Sequence, residues 1–200
     1  MASTKHSAAG FSLVEVLVSI VVLSMGLLGA VGMLLASVRS GNEAATFTAA
    51  LNLARELSEK ARMNHRVAAQ NDAANAYLVD DWRAGSAPDA PAAGGACAVV
   101  GVAAGAGCTP AELAAWDMRG WKRRIAKALP DARLSVCFDE TPWNAAAAEY
   151  TWACSKTGSI MVVKLGWTPR TGAPEPGASP PPRLVMQWVT GQGHDGQAGS

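Results

Sequence analysis

Gly10-Phe11-Ser12-Leu13-Val14-Glu15-Val16-Leu17-Val18 opens the stretch that decides how the whole chain is read. From Val16 to Val38 run 23 residues without a charge. As a helix they would span about 35 Å, enough to cross a hydrocarbon core of about 30 Å. Lys5 and His6 lie before the run and Arg39 after it. A secretory signal would have a shorter apolar core with a small-residue cleavage site behind it. Here the run is too long and no such site follows, so it reads as a retained anchor. Two features depart from a plain anchor. Gly10 directly precedes the run, and the carboxylate of Glu15 falls in its first turns. An ionised side chain in hydrocarbon costs on the order of 3 kcal/mol. Glu15 therefore either stays wet near the interface or has a partner.

Outward from this stretch the composition changes. Of the 200 residues half are hydrophobic and 16% charged, which excludes a charge-rich disordered chain. Lys plus Arg is 17 against 16 for Asp plus Glu, and a net charge of +1 argues against a strongly electrostatic nucleic-acid binder. Among 46 Leu, Val, Ile, Met and Phe, 18 lie between Phe11 and Val38, whereas all seven Trp lie beyond residue 80. The chain is an aliphatic anchor joined to a separately built, Trp-rich head.

The Gly10-Phe11 junction, Glu15 five positions into the segment that follows Gly10, and the long apolar run together resemble the class III signal of type IV pilins and type II secretion pseudopilins. That resemblance implies that prepilin peptidase cuts between Gly10 and Phe11, that Phe11 is then N-methylated, and that the apolar helix is kept. It also supplies a partner for Glu15, the α-amine of Phe11 on a neighbouring subunit. Opposite charges attract strongly in low dielectric and either one alone is penalised, so this pair would set the axial register between subunits. Gly26, Gly29 and Gly32 punctuate the anchor. Close packing of membrane helices is favoured over local weakening as their role.

Arg39 to about Arg66 lacks Pro and has helix-forming composition, which predicts one continuous helix of about 55 residues. Phe47, Leu51, Ala54 and Ala61 follow helical spacing, with Leu53 and Leu57 on a neighbouring stripe. Glu56 with Lys60 and Arg55 with Glu59 are favourable pairs four residues apart. Leu27-Leu28-Gly29, the stretch Ala54 to Asn64 and the segment Thr-Pro-Ala-Glu-Leu-Ala-Ala-Trp-Asp at 109–117 resemble the PilV type of minor pilin. The fold expected is α+β, a pilin-like lollipop. In it a long N-terminal helix, half transmembrane and half amphipathic, packs on a small antiparallel sheet with one extra helix and two disulfides. The implied organisation is a leader at 1–10, an assembly helix at 11–38, its periplasmic half at 39–66, a head at 67–190 and a flexible tail at 191–200.

Within the head, residues 84–96 read as a flexible surface connection. Thr109-Pro110-Ala111-Glu112 is a capping-box pattern opening a helix to about Leu129, with Leu113, Trp116, Trp121, Ile125 and Leu129 inward and Lys122, Arg123 and Lys127 outward. Arg133–Asp139, Ser159–Trp167 and Arg183–Thr190 read as strands, the last two as an antiparallel hairpin around a Pro-rich loop. Cys97, Cys108, Cys137 and Cys154 lack the spacing and nearby His of a metal site. In an oxidising periplasm two disulfides are expected, and neighbour pairing is the simplest of three connectivities.

No catalytic set emerges. His6, His65 and His194 lie in the leader, at a helix end and in the tail. Asp80-Asp81 and Asp139-Glu140 read as solvated loop carboxylates. The Gly-rich stretches lack the Lys-Ser/Thr of a phosphate loop, and Lys122, Arg123, Arg124 and Lys127 are weak grounds for DNA contact. The seven Trp read as core, with Trp82 and Trp143 kept as candidate ligand platforms. No metal, cofactor or nucleic acid is expected. The resemblance implies a non-enzymatic subunit of the bacterial inner membrane with a periplasmic head, later carried to the tip of an extracellular pilus. Its implied partners are other minor pilins and pilus subunits, the prepilin peptidase/methylase, the inner-membrane assembly platform and a tip adhesin. A type II secretion pseudopilin is the nearest rival. A membrane-tethered periplasmic enzyme or DNA-uptake receptor is the rival of another class.

Overall fold

The computed structural model describes residues 12–86, 97, 108–169 and 180–189. They belong to two compact units, 1–42 and 43–200. One element, helix α1 (Leu13–Met63), runs without interruption through 51 residues of both. In the first unit every side chain from Leu13 to Val38 is exposed. An 18-residue window of mean hydropathy 2.4 makes α1 long and apolar enough to cross a membrane. Two of its hydroxyls are satisfied within the helix. The hydroxyls of Ser19 and Ser24 donate to the carbonyls of Glu15 and Ile20, each at 2.7 Å. The helix passes straight through Gly26, Gly29 and Gly32, where an added Cβ would meet nothing within 4 Å. Among the described residues nothing packs against those glycines.

In the second unit α1 turns a different kind of stripe inward. Ala50, Leu53, Ala54, Leu57 and Ala61 are buried, each three or four residues from another of the set and so on one face. Phe47 remains 45% exposed, its ring tilted against Trp167 at 6.2 Å. The helix ends three residues earlier than the composition suggests. Asn64 leaves helical geometry (φ −115°, ψ 46°) and its amide donates to the Pro110 carbonyl at 2.7 Å. A four-residue helix α2 (His65–Ala68) follows.

Helix α3 (Pro110–Ala128) begins with the expected capping box. The Thr109 hydroxyl accepts from the Glu112 N–H at 3.3 Å, and the Glu112 carboxylate accepts from the Thr109 N–H at 2.8 Å. The Thr109 N–H foremost, and the Thr109 hydroxyl donating to the same carboxylate at 2.9 Å, hold the Glu112 carboxyl below its usual range. The inward face is Ala114, Asp117, Met118, Trp121 and Ile125, with Leu129 buried at the C-cap. Leu113 points out and Trp116 is half-buried, against the expectation that both face inward. Once Trp121 and Ile125 fix the phase, a 100° step per residue brings Ala114, Asp117 and Met118 to the core instead.

The sheet is antiparallel throughout, in the order β1 (Val79–Arg83), β2 (Arg133–Phe138), β5 (Ile160–Gly166), β6 (Leu184–Val189). The expected β5–β6 hairpin pairs Ile160 with Val189 and Leu165 with Leu184. Strand β1 has no signal in the sequence reading, because Val-Asp-Asp-Trp-Arg carries three charges in five residues. It lies on the sheet edge, where charge is tolerated, and its register shifts between Val79 and Trp82. Two short strands, β3 (Trp143–Asn144) and β4 (Glu149–Tyr150), form a separate hairpin.

Leu134, Val136, Phe138, Met161, Val163, Leu165 and Leu184 join the buried stripes of α1 and α3 in one core around Trp121 and Tyr77. Trp121 is fully buried and its indole N–H donates to the Leu53 carbonyl at 2.8 Å. The other sheet face is also buried at Ser135, Cys137, Val162 and Lys164, since residues 152–154 lie across it. The disulfides are Cys97–Cys108 and Cys137–Cys154, with Cα separations of 5.7 and 6.3 Å. Neighbour pairing is therefore the connectivity. Residues 87–96, 98–107, 170–179 and 190–200 hold the rest of the expected loop, Val99, Val100 and Val102, most of the Pro-rich connection and the tail; they lie outside the described residues.

Candidate functional site

Two regions carry charge in apolar surroundings, and they are built in opposite ways. The first is the start of α1. Ser12 accepts the N–H groups of Glu15 and Val16 at 3.0 and 3.3 Å, opening the helix so that Glu15 sits in its first turn. A carboxylate there is favoured by the unpaired N–H groups of a helix start. Among the described residues no cation pairs with Glu15, and its neighbours one helical turn along are Ser19 and aliphatic side chains. Gly10 and Phe11, the expected cleavage and methylation positions, lie outside the described residues.

The second region lies in the head. Asp139 is 1% exposed and Lys164 0%, and the Lys164 ammonium donates to Asp139 Oδ2 at 2.6 Å. The reading of Asp139-Glu140 as a solvated pair is thus wrong for Asp139. Strand β5 delivers Lys164 to the face that 152–154 cover, and Asp139 follows directly on β2 beside it. Thr141 and Ser155 donate their N–H groups to Asp139 Oδ1 at 3.0 and 3.2 Å, and Lys164 also donates to the Ala153 carbonyl at 2.6 Å. Burial pushes the Asp139 carboxyl up, but the Lys164 hydrogen bond and these N–H donors bring it below the usual carboxylate range. Both Asp139 oxygens and two of the three Lys164 protons are thus occupied, which offsets part of the cost of taking the pair out of water.

A third cluster ties α1 to α3. Lys60 pairs with Asp117, and Tyr77 lies against both. Burial, countered by the Asn64 amide and reinforced by the Asp117 carboxylate, pushes the Tyr77 hydroxyl up to about 12. Lys60 and Glu56 were expected to pair with each other along the helix. Instead Lys60 reaches Asp117, and Glu56 reaches Arg124. Long-range partners on α3 outcompete a surface pair worth a few tenths of a kcal/mol, roughly. Arg124 is thereby engaged, which removes it from the basic cluster considered for DNA contact. Glu59 bonds Arg62 at 3.6 Å.

The remaining candidates resolve into structure. Asp80 pairs with Lys156 at 3.0 Å and Asp81 with Arg133 at 2.8 Å, so both are exposed but engaged. A cleft of about 400 Å³ lies beside them, lined by Asp72, Asp80, Val136, Phe138 and Lys156 among others. Lys156 and Asp80 pair with each other there, and Asp72 accepts from the Ala74 backbone N–H. Sγ of Cys137, Sγ of Cys154 and the Asp139 carboxylate lie within 4.8 Å of one another. They do not form a metal centre, because both sulfurs are spent on the disulfide and Lys164 holds the carboxylate. His65 is exposed. Trp82 packs against the core, whereas Trp143 is 49% exposed and stacks edge-on to Tyr150 at 4.9 Å. Lys164 and Tyr77 are the residues that the sequence reading missed. A lysine inside the β-run Ile160–Gly166 was the available signal for the first.

Residues 5–31 match the family described as the prokaryotic N-terminal methylation motif. Comparison with curated proteins and comparison with solved structures each found no match. The matched span includes the Gly10-Phe11 junction and Glu15 and supports a type IV pilin or pseudopilin in general, membrane-anchored by its N-terminal helix. Proteins with this signal are processed by prepilin peptidase, assemble with other pilins and are generally structural rather than enzymatic.

Proposed function

We propose that this chain is a minor pilin that helps to prime type IV pilus assembly and then occupies the pilus tip with other minor pilins. The observation that carries this reading is the aliphatic surface of Leu13–Val38, wholly exposed on an unbroken helix and bearing one carboxylate at Glu15. Such a surface has to be covered, first by lipid and then by the same segment of neighbouring subunits. Prepilin peptidase would remove residues 1–10 and Phe11 would be N-methylated. Loss of Lys5 from the 17 basic residues leaves 16 against 16 acidic ones, so the mature side-chain charge is zero. The new amine and Glu15 become the charges that register one helix on the next, in hydrocarbon where an unpaired charge is costly. Residues 39–66, helical in α1 as far as Met63, then lead into a periplasmic head at 67–190, with 191–200 as its tail.

The resemblance of Ala54–Asn64 and Thr109–Asp117 to the PilV type supports the pilus system over type II secretion. The test has two arms. Mass and N-terminal sequence of the mature protein should show a methylated Phe11, and any other N-terminus overturns the pilin reading. A deletion strain should lose twitching motility and keep exoprotein secretion, and the reverse pattern assigns the chain to the type II pseudopilus. Glu15→Ala should leave the head folded and abolish co-assembly with the other minor pilins.

A further inference from the structure

Residues 139–158 form a strap across the outer face of the sheet, and none of them belongs to the hydrophobic core. The strap is fastened at several points, among them the exposed Lys156–Asp80 ion pair, the Asn71 amide on the Lys156 carbonyl and the Arg133 guanidinium over the Trp152 ring. Cys137–Cys154 is covalent. Trp152 donates to the Pro180 carbonyl at 2.7 Å and lies on Gly166, where an added Cβ would sit 2.8 Å from its ring. The Lys156 N–H donates to the Phe138 carbonyl at 3.0 Å. Underneath, Lys164 and Asp139 bond to Ala153 and Ser155.

We propose that Cys137–Cys154 is a redox latch that keeps this strap closed over Lys164, and that reduction opens the strap while the rest of the head stays folded. The argument is one of opposed terms. Closing the strap removes an ammonium and a carboxylate from water, and mutual attraction seldom returns more than that costs. The apolar burial in compensation is limited to Val162 and Cys137 beneath the strap and part of Trp152, since Ala153, Ser155 and Lys156 are exposed. The covalent bond tips the balance, because it confines the open strap to a short loop and removes most of its conformational entropy. Reduction by a dithiol breaks the S–S bond and delivers two electrons and two protons to the sulfurs, while the dithiol closes to its own disulfide. Lys164 and Asp139 then gain water and the closed state loses its advantage. The core between α1, α3 and the inner sheet face has no strap residue to lose.

Hydrogen exchange on the full-length chain in detergent tests this. In C137A/C154A, with Cys97–Cys108 intact, amides of 140–158 should exchange about 100-fold faster while those of 50–61 and 114–125 are unchanged. Adding D139N and K164M to that variant should restore at least about tenfold of the lost protection, since no charge is then buried. Dithiothreitol added to the folded wild-type chain should reproduce the opening without any substitution. Unchanged strap exchange, joint loss of protection in α1 and α3, or no recovery in the neutralised variant each overturns the latch.

Discussion

The two halves of α1 obey opposite rules on one continuous helix. From Leu13 to Val38 large aliphatic side chains face outward at every turn; from Ala50 to Ala61 small residues and two leucines face inward. Their charges differ in the same sense. Glu15 has no cation among the described residues of its own chain, whereas Glu56 and Lys60 both reach partners on α3. A helix that folds against its own chain keeps alanines where neighbours come close and pairs its charges internally. One that folds against other molecules carries its hydrophobic bulk outside.

The sharpest way to break that contrast is at the internal charge. Asp139→Ala strands the buried ammonium of Lys164 and should cost about 3–5 kcal/mol in denaturant unfolding of the head. D139N/K164M, which buries no charge, should lie within about 1 kcal/mol of wild type. Equal losses in both would mean that lost packing, not a stranded charge, accounts for the cost of Asp139→Ala. Next, Leu57→Ala opens a cavity in a fully buried site and should cost about 2–5 kcal/mol. Leu28→Ala, at a side chain 74% exposed, should leave the same unfolding curve unmoved to within about 0.5 kcal/mol. A head destabilised by Leu28→Ala would erase the distinction between the halves.

Alkaline titration should give a smaller effect. The Tyr77 pKa is raised to about 12 in the folded head, so its stabilising share is complete below its ordinary value of 10.0 and disappears as pH rises through about 12. Unfolding free energy should fall by roughly 2–3 kcal/mol across that window, and Tyr77→Phe should remove the fall. Least of all, Thr109→Ala removes the capping hydroxyl of α3 and should cost about 1 kcal/mol, seen as a slight drop in Tm.

Legibility from sequence followed the range of the interactions concerned. The anchor, the capping box at Thr109, the β5–β6 hairpin and the pairing of Cys137 with Cys154 are all decided within a short span of chain, and each was readable there. Strand β1 was not, because its charges are acceptable only on a sheet edge, and edge position belongs to the whole sheet. Nor was the burial of Asp139. A carboxylate beside Glu140 looks solvated until Lys164, 25 residues on, is brought to it by strand pairing. Glu56 and Lys60 show the same limit from the other side, since the obvious local pair gave way to Arg124 and Asp117. Of the candidate assembly site, Glu15 was legible as an anomaly of type and place, and among the described residues of the chain no cation pairs with it.

The disulfide connectivity also bears on how the head is made. Each cysteine is joined to the next one in the chain, across separations of 11 and 17 residues. An oxidant that links cysteines in the order in which they leave the synthetic or export machinery therefore produces both native bonds at first attempt. Oxidation in chain order therefore suffices to form both native bonds without exchange between them.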